Sequence, residues 1–449
     1  MPLAPAFGPD HAHRLGHVQM SHSHTTPTPT SPQDMARQRR ALRLMIITLI
    51  PLAVWTLGAL IIMWPGDVSK HISPNISTYS VEGLTVQSAR ITQVAEINCD
   101  GVPGSASTPG AQQTCGKATV EMLDGPEKGQ VIEEITLKAS DFESGVSVGQ
   151  KVKLFRIPME GMEAQYQFSE FERGSPLIFF TLLFVAAVVL VARLRGLMAI
   201  LGLGWAYFIM VYFMFPALVA GSNPLMVGLV GGSAIMFVVL YAAHGFSART
   251  TTALLGTLFG LFVAAILGWI ATEWAHLTGV ASEDDMILST AAPDLQMTSV
   301  VLCGIMLAGL GVLNDVTITQ ASAVWELAST DPDGKRLFSR AMRIGRDHIA
   351  STVYTIAFAT AGASLGTLLL LSIYQRPLFE TLQNEVFSAE IIRTLVGSIG
   401  LVAAVPLTTA VGVAVVSASR KSRGEITLKD ASRNAPGDEL IDRSRFDRN

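Results

Sequence analysis

Residues 297–326 read MTSVVLCGIMLAGLGVLNDVTITQASAVWE, an apolar run whose first charged side chain is Asp315 and whose second is Glu326. A helix crossing the hydrocarbon of a bilayer needs roughly 20 predominantly apolar residues, and this run supplies them with one carboxylate among them. Such a group costs about 2.5–3.5 kcal/mol at the bilayer centre on insertion scales, so it normally faces a partner, a cavity or an ion path. Asp315 is therefore the first candidate for function.

The flanking sequence is of the same kind. Eight stretches meet or approach the spanning length: 44–64, 176–192, 197–216, 224–243, 251–272, 297 to about 320, 349–373 and 394–418. Across 196–272 the only Asp, Glu, Lys or Arg is Arg249. With 449 residues, 49% apolar and 15% charged, and a mean hydropathy of +0.42, the chain is too apolar for an ordinary soluble protein. The expected fold is mainly α: a polytopic helical membrane bundle of about eight transmembrane helices, with a small extracytoplasmic β-barrel-like or β-sandwich domain.

Lys and Arg in short flanking segments set orientation. Arg37, Arg39, Arg40 and Arg43 precede the first stretch, Arg193 and Arg195 follow the second, and Arg249 separates the fourth from the fifth. Lys335, Arg336, Arg340, Arg343 and Arg346 lie between the sixth and seventh, and Arg420, Lys421 and Arg423 follow the eighth. All fall on one side of an eight-span arrangement, whereas the short loops on the other side, 217–223 and 273–296, carry no Lys or Arg and the loop 374–393 carries only Arg376 and Arg393. Both termini are expected in the cytoplasm, with the first span an uncleaved signal anchor in the cell membrane.

Outside the spans, 1–43 is a tail with five of the nine histidines (His11, His13, His17, His22, His24) among Pro, Ser and Thr, a composition that buries no core. Without Cys or carboxylate partners these histidines read as incidental rather than as a metal site, and neither metal nor other cofactor is expected. A second tail is expected over 420–449. Residues 78–168 form the one extramembrane segment large enough for a domain. Its β-branched runs at 85–95, 118–123, 131–137 and 151–155 are separated by Asp-Gly, Lys-Gly and Val-Gly pairs, the pattern of a small antiparallel sheet. Cys99 and Cys115 bracket a Gly/Ser/Pro-rich loop and are expected to pair, since a disulfide closing such a loop contributes roughly 3 kcal/mol in the chain-entropy model. Cys303, inside the sixth span, reads as a small buried hydrophobe.

At 3.6 residues per turn, Gly304, Ala308, Gly311, Asp315, Thr319, Ser322 and Glu326 share one helix face. His348, Thr352, Thr355, Ala359, Gly362 and Gly366 form a matching stripe on the seventh span, ending in a Gly-x-x-x-Gly pair of the type that lets membrane helices approach. Gly228 with Gly232 and Gly256 with Gly260 repeat that spacing. Two small-polar faces imply a helix contact or a thin aqueous seam. Arg343, Arg346 and Asp347 fall at about the depth of Asp315, so an ion pair of Asp315 with Arg346 or Arg343 competes with a gated carboxylate that binds a proton or cation. Glu273, His276, Glu283, Asp284, Asp285 and Asp294 belong to a solvated outer loop or an acidic vestibule, and Glu380, Glu385 and Glu390 to a short interfacial segment.

The chain has no Gly-x-x-x-x-Gly-Lys-Ser/Thr loop and no His-Glu-x-x-His, which argues against an ATP-driven pump acting alone, and no enzyme is expected. The string GVLNDVTITQASAVWEL (311–327), followed by MRIGRDHIASTVYTIAFATAGASL (342–365), resembles the paired motifs of the YibE/F-like membrane protein family. The resemblance implies a multi-pass bacterial cytoplasmic-membrane protein of permease-like type. It carries the family's Asn-Asp and Gly-Arg-Asp elements onto Asn314, Asp315, Gly345, Arg346 and Asp347, and implies no substrate.

The expected function is a secondary transporter or permease for an unknown small solute or ion, with Asn314, Asp315, Thr319, Arg343, Arg346, Asp347 and His348 as its ion or transport site. The alternative is a non-transporting scaffold or envelope-stress component whose outer domain binds a protein partner. The expected partners are the lipid bilayer, the unknown small solute or ion and, for the extracytoplasmic domain, a protein; nucleic acid is not among them.

Overall fold

A computed structural model of the chain describes residues 32–73, 84–100, 102, 114–159, 161–330, 336–374 and 377–433. The histidine-rich tail lies outside these. Residues 45–418 form one compact unit, and the first 44 residues with 419–449 form another. In the smaller unit, helix α1 (Pro32–Ile62) already begins at Pro32, inside the stretch expected to be an unstructured tail. The physical reason is composition: after the Pro/Ser/Thr/His run, residues 35–43 are Met, Ala, Arg, Gln and Leu alone, all strong helix formers.

The β domain is a five-stranded antiparallel sheet curled into a half-barrel. Its strands are β1 (Thr85–Asn98), β2 (Thr114–Met122), β3 (Val131–Leu137), β4 (Lys151–Met159) and β5 (Met162–Phe171), ordered β3-β2-β1-β4-β5. Alternation puts Ala89, Ile91, Ala118, Val120, Met122, Ile135, Leu137, Val152 and Leu154 on one buried face. The glycines that punctuate the sequence turn the chain: Gly125, Gly129, Gly145, Gly149 and Gly161 all have positive φ. The short helix α2 (Ala139–Glu143) closes one mouth of the curl, its Phe142 ring lying where a side chain at Gly116 would be. Cys99 and Cys115 are disulfide-bonded, with Cα atoms 5.1 Å apart.

Arg156 Nε and Nη2 donate to the Glu127 carboxylate at 2.8–3.1 Å, a two-pronged bond from β4 to the β2–β3 connection. It holds the Glu127 carboxyl below its usual value. A carboxyl depressed on folding stabilises the fold above its unfolded pKa and loses that contribution as pH falls through the folded pKa. The β domain is therefore expected to lose thermal stability below about pH 4.5, the ordinary glutamate value. Glu127→Gln should flatten this part of the profile, and a wild-type slope in the variant would show that the acid sensitivity arises elsewhere.

The helical part follows. Helix α3 (Gly174–Ile209) is two helical segments joined at Arg193, whose φ 53 and ψ −134 are not helical. At Gly196 an added Cβ would lie 2.6 Å from the Val188 carbonyl oxygen, a contact that a straight helix cannot make across eight residues, about 12 Å of rise. The chain thus folds back at Arg193, separating the expected second and third stretches. A π-helical turn (Met210–Met214) then leads into α4 (Phe215–Val219), where Pro216 lacks the N–H that a regular ladder needs. Next come α5 (Pro224–His244), α6 (Ala248–Trp274), α7 (Glu283–Ala291), α8 (Met297–Thr330), α9 (Leu337–Ala363), α10 (Leu365–Tyr374), α11 (Leu378–Leu382) and α12 (Glu385–Arg433).

Among the described residues, five helical stretches are long and apolar enough to cross a membrane: Gly174–Val219, α5, α6, α8 and Glu385–Ser417 of α12. Ile46–Ile62 of α1 is a shorter apolar helix. The expected stretch 349–373 is divided at Ser364 between α9 and α10, and neither is among the five. The expected interfacial segment is divided too: Glu380 is on α11, whereas Glu385 and Glu390 belong to α12, which starts nine residues before the stretch expected at 394.

Helices α5, α6, α8 and α12 share the main apolar core with the second half of α3. Its joints are small residues facing bulky ones. Gly256 of α6 faces Thr408 of α12, Gly260 faces Leu313 of α8 and the Gly400 carbonyl of α12, and Gly228 of α5 faces Met306 of α8. The threonines buried there satisfy themselves locally, Thr257, Thr317, Thr408 and Thr409 each donating to a carbonyl one turn back at 2.8–3.0 Å. In the connection before α8, Glu283, Asp284 and Asp285 occupy the first turn of α7 behind a Ser282–Asp285 capping box, where negative charge meets the positive end of the helix dipole.

Candidate functional site

Helix α8 has a greasy side and a polar side. Leu302, Ile305, Met306, Leu310, Leu313, Thr317, Gln320 and Val324 are buried. On the opposite side Ala308, Gly311, Asp315 and Glu326 are exposed, and Gly304, Thr319 and Ser322 are half-buried. This is the small-polar face expected from spacing, but it is an open furrow rather than a sealed contact: nothing approaches within 4 Å of a side chain built at Gly311.

Gln320 fixes α9 and α12 to α8. Its side chain, 2% exposed, donates to the Ala341 carbonyl at 3.0 Å and to Thr409 Oγ1 at 2.7 Å. Gly345 packs on the same amide and on Val405, leaving 2.9 Å between an added Cβ and Gln320 Oε1. The glycine of the Gly-Arg-Asp element thus serves close approach of helices. Successive helix residues are rotated by about 100°, so with Gly345 inward, Arg343 and Asp347 are turned about 200° away and Arg346 about 100°. All three are exposed, and among the described residues no ion pair joins Asp315 to Arg343 or Arg346. That pairing, one of the two arrangements the sequence left open, is not made among the described residues because the side of α9 that meets α8 is the Ala341–Gly345–Thr352 side.

The same rotation corrects the stripe read on the seventh span. His348 is half-buried and Thr352 buried, but Thr355, Ala359, Gly362 and Gly366 are exposed, and the inward face continues through Ile356 and Thr360. Seven residues, two turns, separate Gly345 from Thr352, and steps of four from Thr352 lead to 356 and 360, not to 355 and 359. The Gly362/Gly366 pair meets no helix.

Two polar atoms between these helices have no hydrogen-bond partner although buried: Asn314 Oδ1 and His348 Nε2. Gln320 is beside Gly345, and Ala308 and Gly309 line a cavity with Ile356 and Thr360, so α8 and α9 run antiparallel. In that register Asn314 and His348 are within about one helical turn of each other in depth. Asp315 is next to Asn314 and half-buried Thr319 is one turn on.

A second polar cluster escaped the sequence reading. On α12, Arg393 Nη1 donates to Glu390 Oε2 at 2.6 Å, beside Gly304 of α8. Thr360 of α9 and Thr394 of α12 bring their hydroxyls to 3.4 Å. These groups border a cavity of about 70 Å³. The signal available was spacing: Glu390, Arg393, Gly397 and Gly400 recur at three and four residues, which reads as a helix face rather than a loop.

The profile of the YibE/F-like protein family matches residues 180–418, more than half of the 449-residue chain. No curated protein and no solved structure matches it. The apolar helices mark a membrane protein, the matched region includes both motif strings and every side chain of the two clusters, and the chain belongs to the YibE/F-like family.

Proposed function

We propose that the protein is a secondary transporter or permease of the bacterial cytoplasmic membrane, with eight spans and both termini in the cytoplasm, and that Asp315 binds the coupling proton or cation. The observation that carries this reading is the combination at one depth of an exposed carboxylate with no ion pair among the described residues and two buried polar atoms, Asn314 Oδ1 and His348 Nε2, without partners. An ionised carboxylate left unpaired in an apolar slab is expensive, so it takes up a proton or a cation there. The neighbouring carbonyl and imidazole supply acceptors for water or for the bound ion. Arg343 and Arg346, pointing away, leave the carboxylate free to do so. Eight spans follow from counting α3 as two helices and α9–α10 as one broken span, broken helices being a usual element of such sites.

The test is solute or proton flux in proteoliposomes. Asp315→Asn should remove most of the flux and its pH dependence while the protein inserts and folds as wild type; unchanged flux in a normally inserted variant would sink the mechanism. A scaffold acting through residues 78–168 predicts the reverse pattern, in which deleting that segment abolishes function and Asp315→Asn is mild.

A further inference from the structure

The second half of α3 runs antiparallel to α5. Trp205 Nε1 donates to the Ala234 carbonyl at 3.1 Å, and Gly202 packs on Val239, with 3.3 Å between an added Cβ and Val239 Cγ2. Arg195 precedes Gly202 by seven residues, two turns, so this register sets it on the α5 side at the height of the turn joining α5 to α6. That turn is short: His244 ends α5 and Ala248 begins α6, which brings Arg249 to the same corner. The charged groups that act on the His244 imidazole are Arg249 and Arg195, with no carboxylate among them. Neither arginine has an ion pair among the described residues. Arg195 is exposed, and Arg249 and His244 are half-buried.

Two guanidiniums gathered at one corner repel each other until an anion joins them. The surface beside them is apolar. One and two turns beyond Arg195, Ala199 and Leu203 are exposed on the same side of α3, and at the turn itself Phe246, stacked on Tyr241, is 88% exposed. A cationic corner at the foot of an apolar strip matches a phospholipid, which uses both parts, whereas free phosphate uses only the charges. Basic sites between membrane helices take anionic headgroups in this way, and the planar fork of arginine offers paired N–H donors to phosphate oxygens.

We infer that this corner binds an anionic phospholipid, its phosphate held by Arg195 and Arg249 and an acyl chain lying along Ala199 and Leu203. The inference is independent of any role for Asp315, because binding is read without flux.

The full-length protein in a non-ionic detergent is mixed with equal amounts of dioleoyl phosphatidylglycerol and dioleoyl phosphatidylcholine, and the first lipid retained is identified by native mass spectrometry. The wild type should retain phosphatidylglycerol. Arg195→Gln and Arg249→Gln should each lower that preference about fivefold, the worth of one arginine at an anionic lipid surface. Arg336→Gln removes an exposed cation elsewhere and should leave the preference unchanged, and Arg249→Lys, which keeps the charge, should retain most of it. Excess inorganic phosphate should not displace the lipid. The phosphate and wild-type measurements need no variant to fold. No preference in the wild type, full preference in both glutamine variants, an equal loss in Arg336→Gln, or displacement by phosphate would each overturn the assignment.

Discussion

Replacing Cys99 by serine is expected to lower the hydrogen-exchange protection of the β1–β2 amides by about two orders of magnitude. The bridge joins residues 16 apart in sequence, and closing a loop of that size contributes roughly 3 kcal/mol in the chain-entropy model, with about 1.4 kcal/mol to each tenfold. Its position concentrates the effect. The β1–β2 ladder ends at Ile97–Cys115 and Asn98–Thr114, so the bridge clamps the open end of the central strand pair, whose other members include fully buried Ala89 and Val120. Without it the long connection frays inward along both strands. Exchange measured on the full-length protein, oxidised and reduced, checks this; equal protection in both forms would show that the sheet's own core is sufficient.

Gly256→Val should be the most damaging single substitution in the helical core. A Cβ there would overlap Thr408 Oγ1 and stand 3.4 Å from Thr317 Cγ2. Thr408 cannot retreat easily: it is β-branched, 0% exposed, and its hydroxyl is held by the Ala404 carbonyl at 2.8 Å. Overpacking of a tight core typically costs 1–3 kcal/mol, and here about 2–3 kcal/mol is expected, read as a fall in melting temperature in detergent. Gly362→Val provides the control. It occupies the same kind of Gly-x-x-x-Gly spacing but has no atom within 4 Å, so it should remain within about 0.5 kcal/mol of wild type. Equal losses in the two variants would show that the α6–α12 joint is looser than described.

That contrast shows what was legible in the sequence. Alternation of β-branched residues and the Gly turns give the strands, and charge-free runs give the helices, because both periods arise from backbone geometry. The polar face of α8 follows equally from 3.6-residue spacing. Which glycines touch something does not: Gly256 and Gly362 are indistinguishable in spacing, and only the placement of α12 separates them. The rotation of α9 was likewise hidden, since a shift of one residue, from Thr355 to Ile356, changes the face by about 100°. Arg393 was missed for a further reason. A hydropathy reading ends a span at its charges, whereas the helix continues past them when a charged pair satisfies itself.

The first half of α3 has one more consequence. From Gly174 to Arg195 no residue is buried, and Leu190 and Val191 are 79% and 86% exposed. Nothing among the described residues therefore sets the angle of this helix. Its slope is left to hydrophobic matching with the bilayer, steeper in a thick membrane and flatter in a thin one. Because it follows directly from β5, the height of the β domain above the lipid becomes a property of the membrane's thickness as much as of the chain.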